Sequence, residues 1–290
     1  MAETKDVDQV TGVETTGHSW DGIKELNNPL PRWWLWTFYG CIAFALVYSI
    51  LYPAWPLLHS ATSGVLGWSS RQDLRQEMAS LQAENADKLA AIQTLDVDAI
   101  AADPNLKPMA IAAGRAAFKV NCVQCHGSGA EGGAGYPNLN DDSWIWGGSL
   151  DQIHTTLQHG IRYASDDDTR ISEMPAFGRD GILDRNQVSD VAWYVRKISG
   201  QETDAAAAER GTQIFADNCA ACHGETGEGN RDVGAPRLND AIWLYGGSHA
   251  DIMAQVNGPR HGVMPAWGQR LGETTVKELT VYVHSLGGGE

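Results

Sequence analysis

The sequence predicts a mainly α-helical chain, with one N-terminal transmembrane helix ahead of two tandem copies of a small helical domain. Three observations carry this expectation: an uncharged apolar run at 33–52, an internal repeat spanning 110–200 and 201–290, and apolar residues three or four apart in the segments between. The expected divisions are an N-terminal arm (1–32), the transmembrane helix (33–52), a helical connector (53–109) and the two repeated domains (110–200 and 201–290). A chain of 290 residues with 43 percent hydrophobic content has room for about two domains.

The arm is polar, acidic and rich in turn formers, ending in NNPLPR, and reads as exposed. The run WWLWTFYGCIAFALVYSILY that follows covers the ~30 Å of bilayer hydrocarbon at a helical rise of ~1.5 Å per residue. Trp33, Trp34 and Trp36 at one end, and Tyr52 and Trp55 at the other, suit the membrane interface. A signal peptide would lie nearer the N-terminus, have a shorter apolar region and end in small residues; here 32 residues precede the run and PAWP follows it. Lys24 and Arg32 before the span, against Arg71 behind it, favour a cytoplasmic N-terminus.

In the connector, Leu74, Met78, Leu81, Leu89, Ile92 and Leu95 recur at roughly helical spacing, with Ser70 as a candidate cap, until Asp103-Pro104 and Lys107-Pro108 break the pattern. The repeat then begins. GRAAFKVNCVQCHG at Gly114 matches GTQIFADNCAACHG at Gly211, Trp144 matches Trp243, WGGS matches YGGS, and EMPAFG at Glu173 matches VMPAWG at Val263. Each copy reads as a helix entering the cysteines, glycine-rich loops, a helix after the GGS signal, a Met-bearing loop and a final helix beginning near Leu183 or Thr274. The first copy carries a longer loop, IRYASDDDTRISE, before its Met-Pro.

Four of the five cysteines lie in the repeated CxxCH word: Cys122 and Cys125, then Cys219 and Cys222. Two thiols at this spacing add to the vinyl groups of haem while the adjacent His reaches the iron, so each copy is expected to be a class I-like cytochrome c domain with one covalently bound haem c. The two CxxC pairs are too far apart for a zinc ribbon, and no βαβ pattern supports a redox disulfide. His126 and His223 are the expected proximal iron ligands. Met174 and Met264, in matching MPA(F/W)G loops, are the expected distal ones; pairing within each copy is the default, and exchange of the loops stays open. A His/Met pair fills both axial positions and favours electron transfer over ligand activation, which leaves no catalytic residues to assign. Arg162 and Arg260, with Trp144, Trp146, Trp243 and Tyr245, are candidate partners for haem propionates, core packing being the equal alternative for the aromatics.

The chain carries 36 acidic and 21 basic residues, a formal net charge of -15, so nucleic acid is excluded as a natural partner and a basic protein favoured. Residues 110–200 hold 8 basic and 11 acidic groups, and residues 201–290 hold 6 and 12. The second copy is therefore the better landing face for a basic cytochrome c donor.

HSWDGIKELNNPLPRWW immediately before the single anchor, followed by two CxxCH copies with MPA(F/W)G loops, resembles the dihaem subunit family (CcoP or FixP, subunit III) of cbb3-type cytochrome c oxidases. The resemblance covers nearly the whole chain. It implies an electron-entry subunit without a catalytic site of its own, passing electrons from a cytochrome c pool through its two haems to a monohaem c subunit. From there they reach a catalytic subunit with haem b and a haem–copper site, in a complex that reduces oxygen and pumps protons. It further implies a single-pass protein of the bacterial inner membrane with its haem domains in the periplasm. The other readings are a membrane-anchored dihaem carrier for a different periplasmic dehydrogenase or reductase, and a dihaem peroxidase, which needs one iron without Met.

Overall fold

The computed structural model describes residues 6–288, and the chain divides after Glu84 into two compact units. The first unit opens with a β-hairpin, β1 (Thr15–Trp20) and β2 (Ile23–Leu26), pairing antiparallel. From its sequence the arm reads only as exposed and rich in turn formers, and the signal for the hairpin is Asp21-Gly22. Both residues have positive φ, 48° and 87°, as a two-residue turn matching strand twist requires. Helix α1 (Arg32–Leu51) follows, one residue earlier than the predicted span, apolar on every face and without a buried residue. A helix of that length and composition, exposed all round, is built for a hydrocarbon surround.

Helix α2 (Ser70–Glu84) closes the first unit. Ser70 is its first helical residue and does not act as a cap; Ser69 takes the first backbone bonds, from Gln72 and Asp73. The Leu74, Met78 and Leu81 stripe is exposed within this chain.

The second unit begins with the rest of the connector, α3 (Ala86–Thr94) and α4 (Val97–Ala102), the latter capped by Asp96. Ile92, Val97 and Ile100 are buried with Leu106, Ala110, Leu150 and Val281. The first repeat supplies α5 (Lys107–Asn121), the CxxCH turn α6 (Val123–His126), α7 (Leu150–His159) and α8 (Arg185–Ile198). The second supplies α9 (Ala205–Asn218), α10 (Ala220–His223), α11 (His249–Asn257), the short α12 (Gly268–Leu271) and α13 (Glu273–His284). Capping boxes at Ser149 and Ser248 start α7 and α11, the two GGS helices.

The helices of the two copies interleave. Helix α8 packs on α9 and α11, whereas α13 packs on α5 and α7. Only residues 199–204 separate α8 from α9, and helices joined so closely pack as neighbours. Helix α5 then loses the final helix of its own copy, and α13 takes the place. One core holds Phe118, Cys122, Ile153 and Leu157 with Val276, Leu279 and Val283; the other holds Val188, Val191 and Val195 with Phe215, Cys219, Ile252 and Val256.

Each crossing depends on a glycine. A Cβ on Gly114 would strike the Glu278 carbonyl of α13, and one on Gly211 would strike the Asp190 carbonyl of α8. Tyr282 and Tyr194 stand beside these glycines and lean against Phe118 and Phe215, with ring centroids 5.4 and 5.0 Å apart.

Candidate haem-binding site

The two CxxCH segments fold alike. Helices α5 and α9 run into Cys122 and Cys219, the backbone turns through one tight helical turn, and Gly127 and Gly224 end it at φ near 80°. Cys122 and Cys219 are buried, while Cys125 and Cys222 stay exposed. Burial pushes the Cys122 and Cys219 thiols up to about 11, with the neighbouring Cys125 and Cys222 adding to the effect.

His126 and His223 are each held from behind by a proline carbonyl, Nδ1 to the oxygen of Pro137 at 3.1 Å and of Pro236 at 2.9 Å. The Nδ1 proton is engaged, so Nε2 carries the free lone pair, the arrangement a metal-binding imidazole needs. Burial holds both rings below the ordinary histidine value, and the proline carbonyl opposes this only in part. The neutral ring that a metal requires is favoured. Two thiols, an oriented imidazole and an apolar wall with a thioether form the donor set of haem c, and the residues fit that group.

The Met loops are exchanged along with the helices. Met264 packs against the core holding Cys122, and Met174 against the core holding Cys219. The default of each Met beside its own copy's His is thus not the arrangement the chain adopts. The backbone fixes the exchange: Met264 and Ile161 bond to each other in both directions, Trp267 N–H donates to the Leu157 carbonyl, and Arg179 N–H donates to the Asn257 carbonyl. Gly160, at φ 70°, lies directly under the Met264 carbonyl, leaving no room for a Cβ.

The candidate propionate partners are largely occupied by protein. Trp144 packs beside the Cys122 core and donates through Nε1 to the Gly288 carbonyl. Trp146 lies under the Arg170 guanidinium, 5.2 Å from the ring centroid. Trp243 packs on the Cys219 core. Arg260 stacks on Tyr245 and donates to its carbonyl. Arg162 is bonded to the carbonyls of Gly262 and Ser172. At the extra loop of the first copy, His159 from the end of α7 converges with Asp166 and Asp168, its Nδ1 3.1 Å from Asp166, which also accepts the Asp168 N–H. Those bonds close the loop.

Sequence reasoning passed over the glycines at the crossings and the carbonyls of Pro137 and Pro236. All of them lie inside the repeated text, so the repeat itself was the signal that would have found them.

This fold and site define a membrane-anchored electron-transfer protein with two cytochrome c domains. Comparison with known proteins agrees in each part. Residues 12–59 match the N-terminal domain of cytochrome oxidase-cbb3, FixP; residues 111–199 match cytochrome c; residues 206–283 match cytochrome c oxidase, cbb3-type, subunit III. The chain is 58% identical to a cbb3-type cytochrome c oxidase subunit CcoP from Cereibacter sphaeroides over 95% of both chains. It is 54% identical to a FixP subunit from Sinorhizobium medicae, over 99% of this chain and 98% of that one, and 50% identical to a CcoP subunit from Azospirillum brasilense over 99% of both. The chain belongs to the CcoP/FixP family of cbb3-type cytochrome c oxidase subunits, the electron-transfer subunits of that enzyme complex.

Proposed function

We propose that the chain carries two covalently attached haem c groups, on Cys122 and Cys125 and on Cys219 and Cys222, and relays electrons between a cytochrome c donor and the oxidase core. His126 and Met264 ligate the first iron, and His223 and Met174 the second. The observation that carries this reading is the packing of each Met beside the core that holds the opposite copy's CxxCH. When bound, each haem supplies an iron that takes up and gives back one electron. The protein's own part is to orient the imidazoles through Pro137 and Pro236, keep water out with Phe118 and Phe215, and hold both sites in one packed unit.

The electron route runs from a soluble or anchored cytochrome c, through these two haems, to a monohaem c subunit and then to a catalytic haem b and copper subunit. The complex reduces oxygen to water and pumps protons. Helix α1 anchors the chain in the bacterial inner membrane with its N-terminus in the cytoplasm and its haem domains in the periplasm, and the acidic excess of 201–290 faces a basic donor. The exposed Leu74, Met78 and Leu81 stripe suits contact with another subunit.

The test is to tag the chain at its C-terminus, purify it gently from native membranes and record reduced-minus-oxidised and CO difference spectra. Haem b and a CO-binding component accompanying the c haems are the expected result. Two c haems alone would indicate a free-standing carrier.

A further inference from the structure

Arg162 is among three non-glycine residues with positive φ among the described residues, at 52°, a conformation an L side chain adopts only at a steric cost. Such a cost persists where the surroundings hold the residue in place. Here they do so through the guanidinium. Its Nε donates to the Gly262 carbonyl at 2.7 Å and one terminal nitrogen to the Ser172 carbonyl at 3.0 Å. Gly262 stands two residues before Met264, and Ser172 two residues before Met174. One side chain therefore grips both Met loops at the same position in each.

The backbone around it completes the clamp. Arg162 N–H donates to the Arg170 carbonyl at 2.8 Å, tying the base of the first Met loop, and Ile161 beside it pairs with Met264 in both directions. The second copy has no equivalent: Arg260, the matching residue, turns to Gln255 and to the Tyr245 carbonyl instead. A half-buried guanidinium with two carbonyl acceptors is a strong, directional link, and its planar fork spans two acceptors where an ammonium would serve one.

We propose that Arg162 is a positioning residue common to both sites: it fixes the two Met loops relative to each other, so that thioether ligation at the two irons loosens or holds together. This rests on the reading of Met174 and Met264 as axial ligands.

The experiment compares the full-length haem-loaded protein with Arg162→Gln and Arg162→Lys. Two readouts are taken: the far-red Met-to-ferric-iron charge-transfer band as a function of pH, and amide hydrogen exchange across 170–174 and 260–264. In R162Q the band is expected to be lost for both haems at a pH lower by about one unit, a tenfold weakening of ligation, with faster exchange in both segments. R162K, keeping the charge and one donor, should fall between.

Loss at one haem only, or a pH profile like that of the wild type, overturns the proposal. So does unchanged exchange in either segment. If the wild-type protein shows no such band at one of its haems, the ligand assignment fails instead, while the exchange data still judge the clamp. Should R162Q fail to accumulate with haem, R162K carries both readouts, and its identity with wild type in both would refute the link.

Discussion

Met264 and Ile161 exchange backbone hydrogen bonds in both directions, at 2.9 and 3.0 Å, although 103 positions separate them. This pairing sets the second copy's Met loop against the end of α7 in the first. In the reduced, diamagnetic protein labelled at methionine methyls, Met264 is expected to give Overhauser contacts to the haem on Cys122 and Cys125, and Met174 to the haem on Cys219 and Cys222. Contacts in the opposite pairing would show each copy serving its own iron.

The helix crossings predict an equally specific response to truncation. A chain ending at Gly272 lacks α13, which covers Phe118, Ile153 and Leu157. The core around Phe118 and Cys122 should then loosen, so that the haem on Cys122, although Met264 is still present, becomes open to CO, while haem on Cys219, covered by α8, keeps its spectrum. In the full chain, Gly211→Val forces a branched side chain against the Asp190 carbonyl and should cost about 3 kcal/mol in denaturant unfolding.

Lys277 is a buried cation, 8% exposed, whose ammonium donates to the carbonyls of Gln93 at 3.1 Å and Leu95 at 2.8 Å. It fastens the end of α3 to α13. Replacing it with Met keeps the stem and removes both donors, leaving two carbonyls short of a partner. The expected loss is about 2 kcal/mol, seen as faster hydrogen exchange over 86–96 with the haem spectra unchanged.

Glu278 gives a pH-dependent case. It occupies on α13 the place that Asp190 holds on α8; Asp190 is bonded through both oxygens to Arg210, at 2.6 and 2.8 Å, while the residue matching Arg210 is Ala113. Burial alone raises the Glu278 carboxyl above its ordinary value of 4.5. The folded chain therefore prefers the protonated acid. Stability is undiminished below the ordinary value and falls as pH climbs from there through the raised folded value. Glu278→Gln should be more stable than wild type at pH 7, by about 1–2 kcal/mol, and the difference should vanish near pH 4 in thermal or denaturant unfolding. An equal difference at both pH values would assign the effect to packing.

Much of the molecule was legible in the text. The uncharged run gave α1 within one residue, because a helix in hydrocarbon needs apolar side chains on every face. The repeated word gave two CxxCH turns, because local spacing alone brings those side chains together; the carbonyls that orient each His lie 11 and 13 residues further on. The hairpin at Thr15–Leu26 was missed although Asp21-Gly22 was there to be read, its strands being too polar for the alternation that marks a half-buried sheet.

By itself the sequence determined the anchor, the two copies, and the CxxCH and Met-Pro words each copy carries, since all of these follow from composition and short-range spacing. It did not determine which final helix meets which entering helix. Gly114 and Gly211 present the same notch, and Tyr194 and Tyr282 the same filler, so either pairing would satisfy the crossing. That choice belonged to the tertiary structure. Six residues between α8 and α9 hold those helices together, α13 is left to cover α5, and the Met loops travel with them.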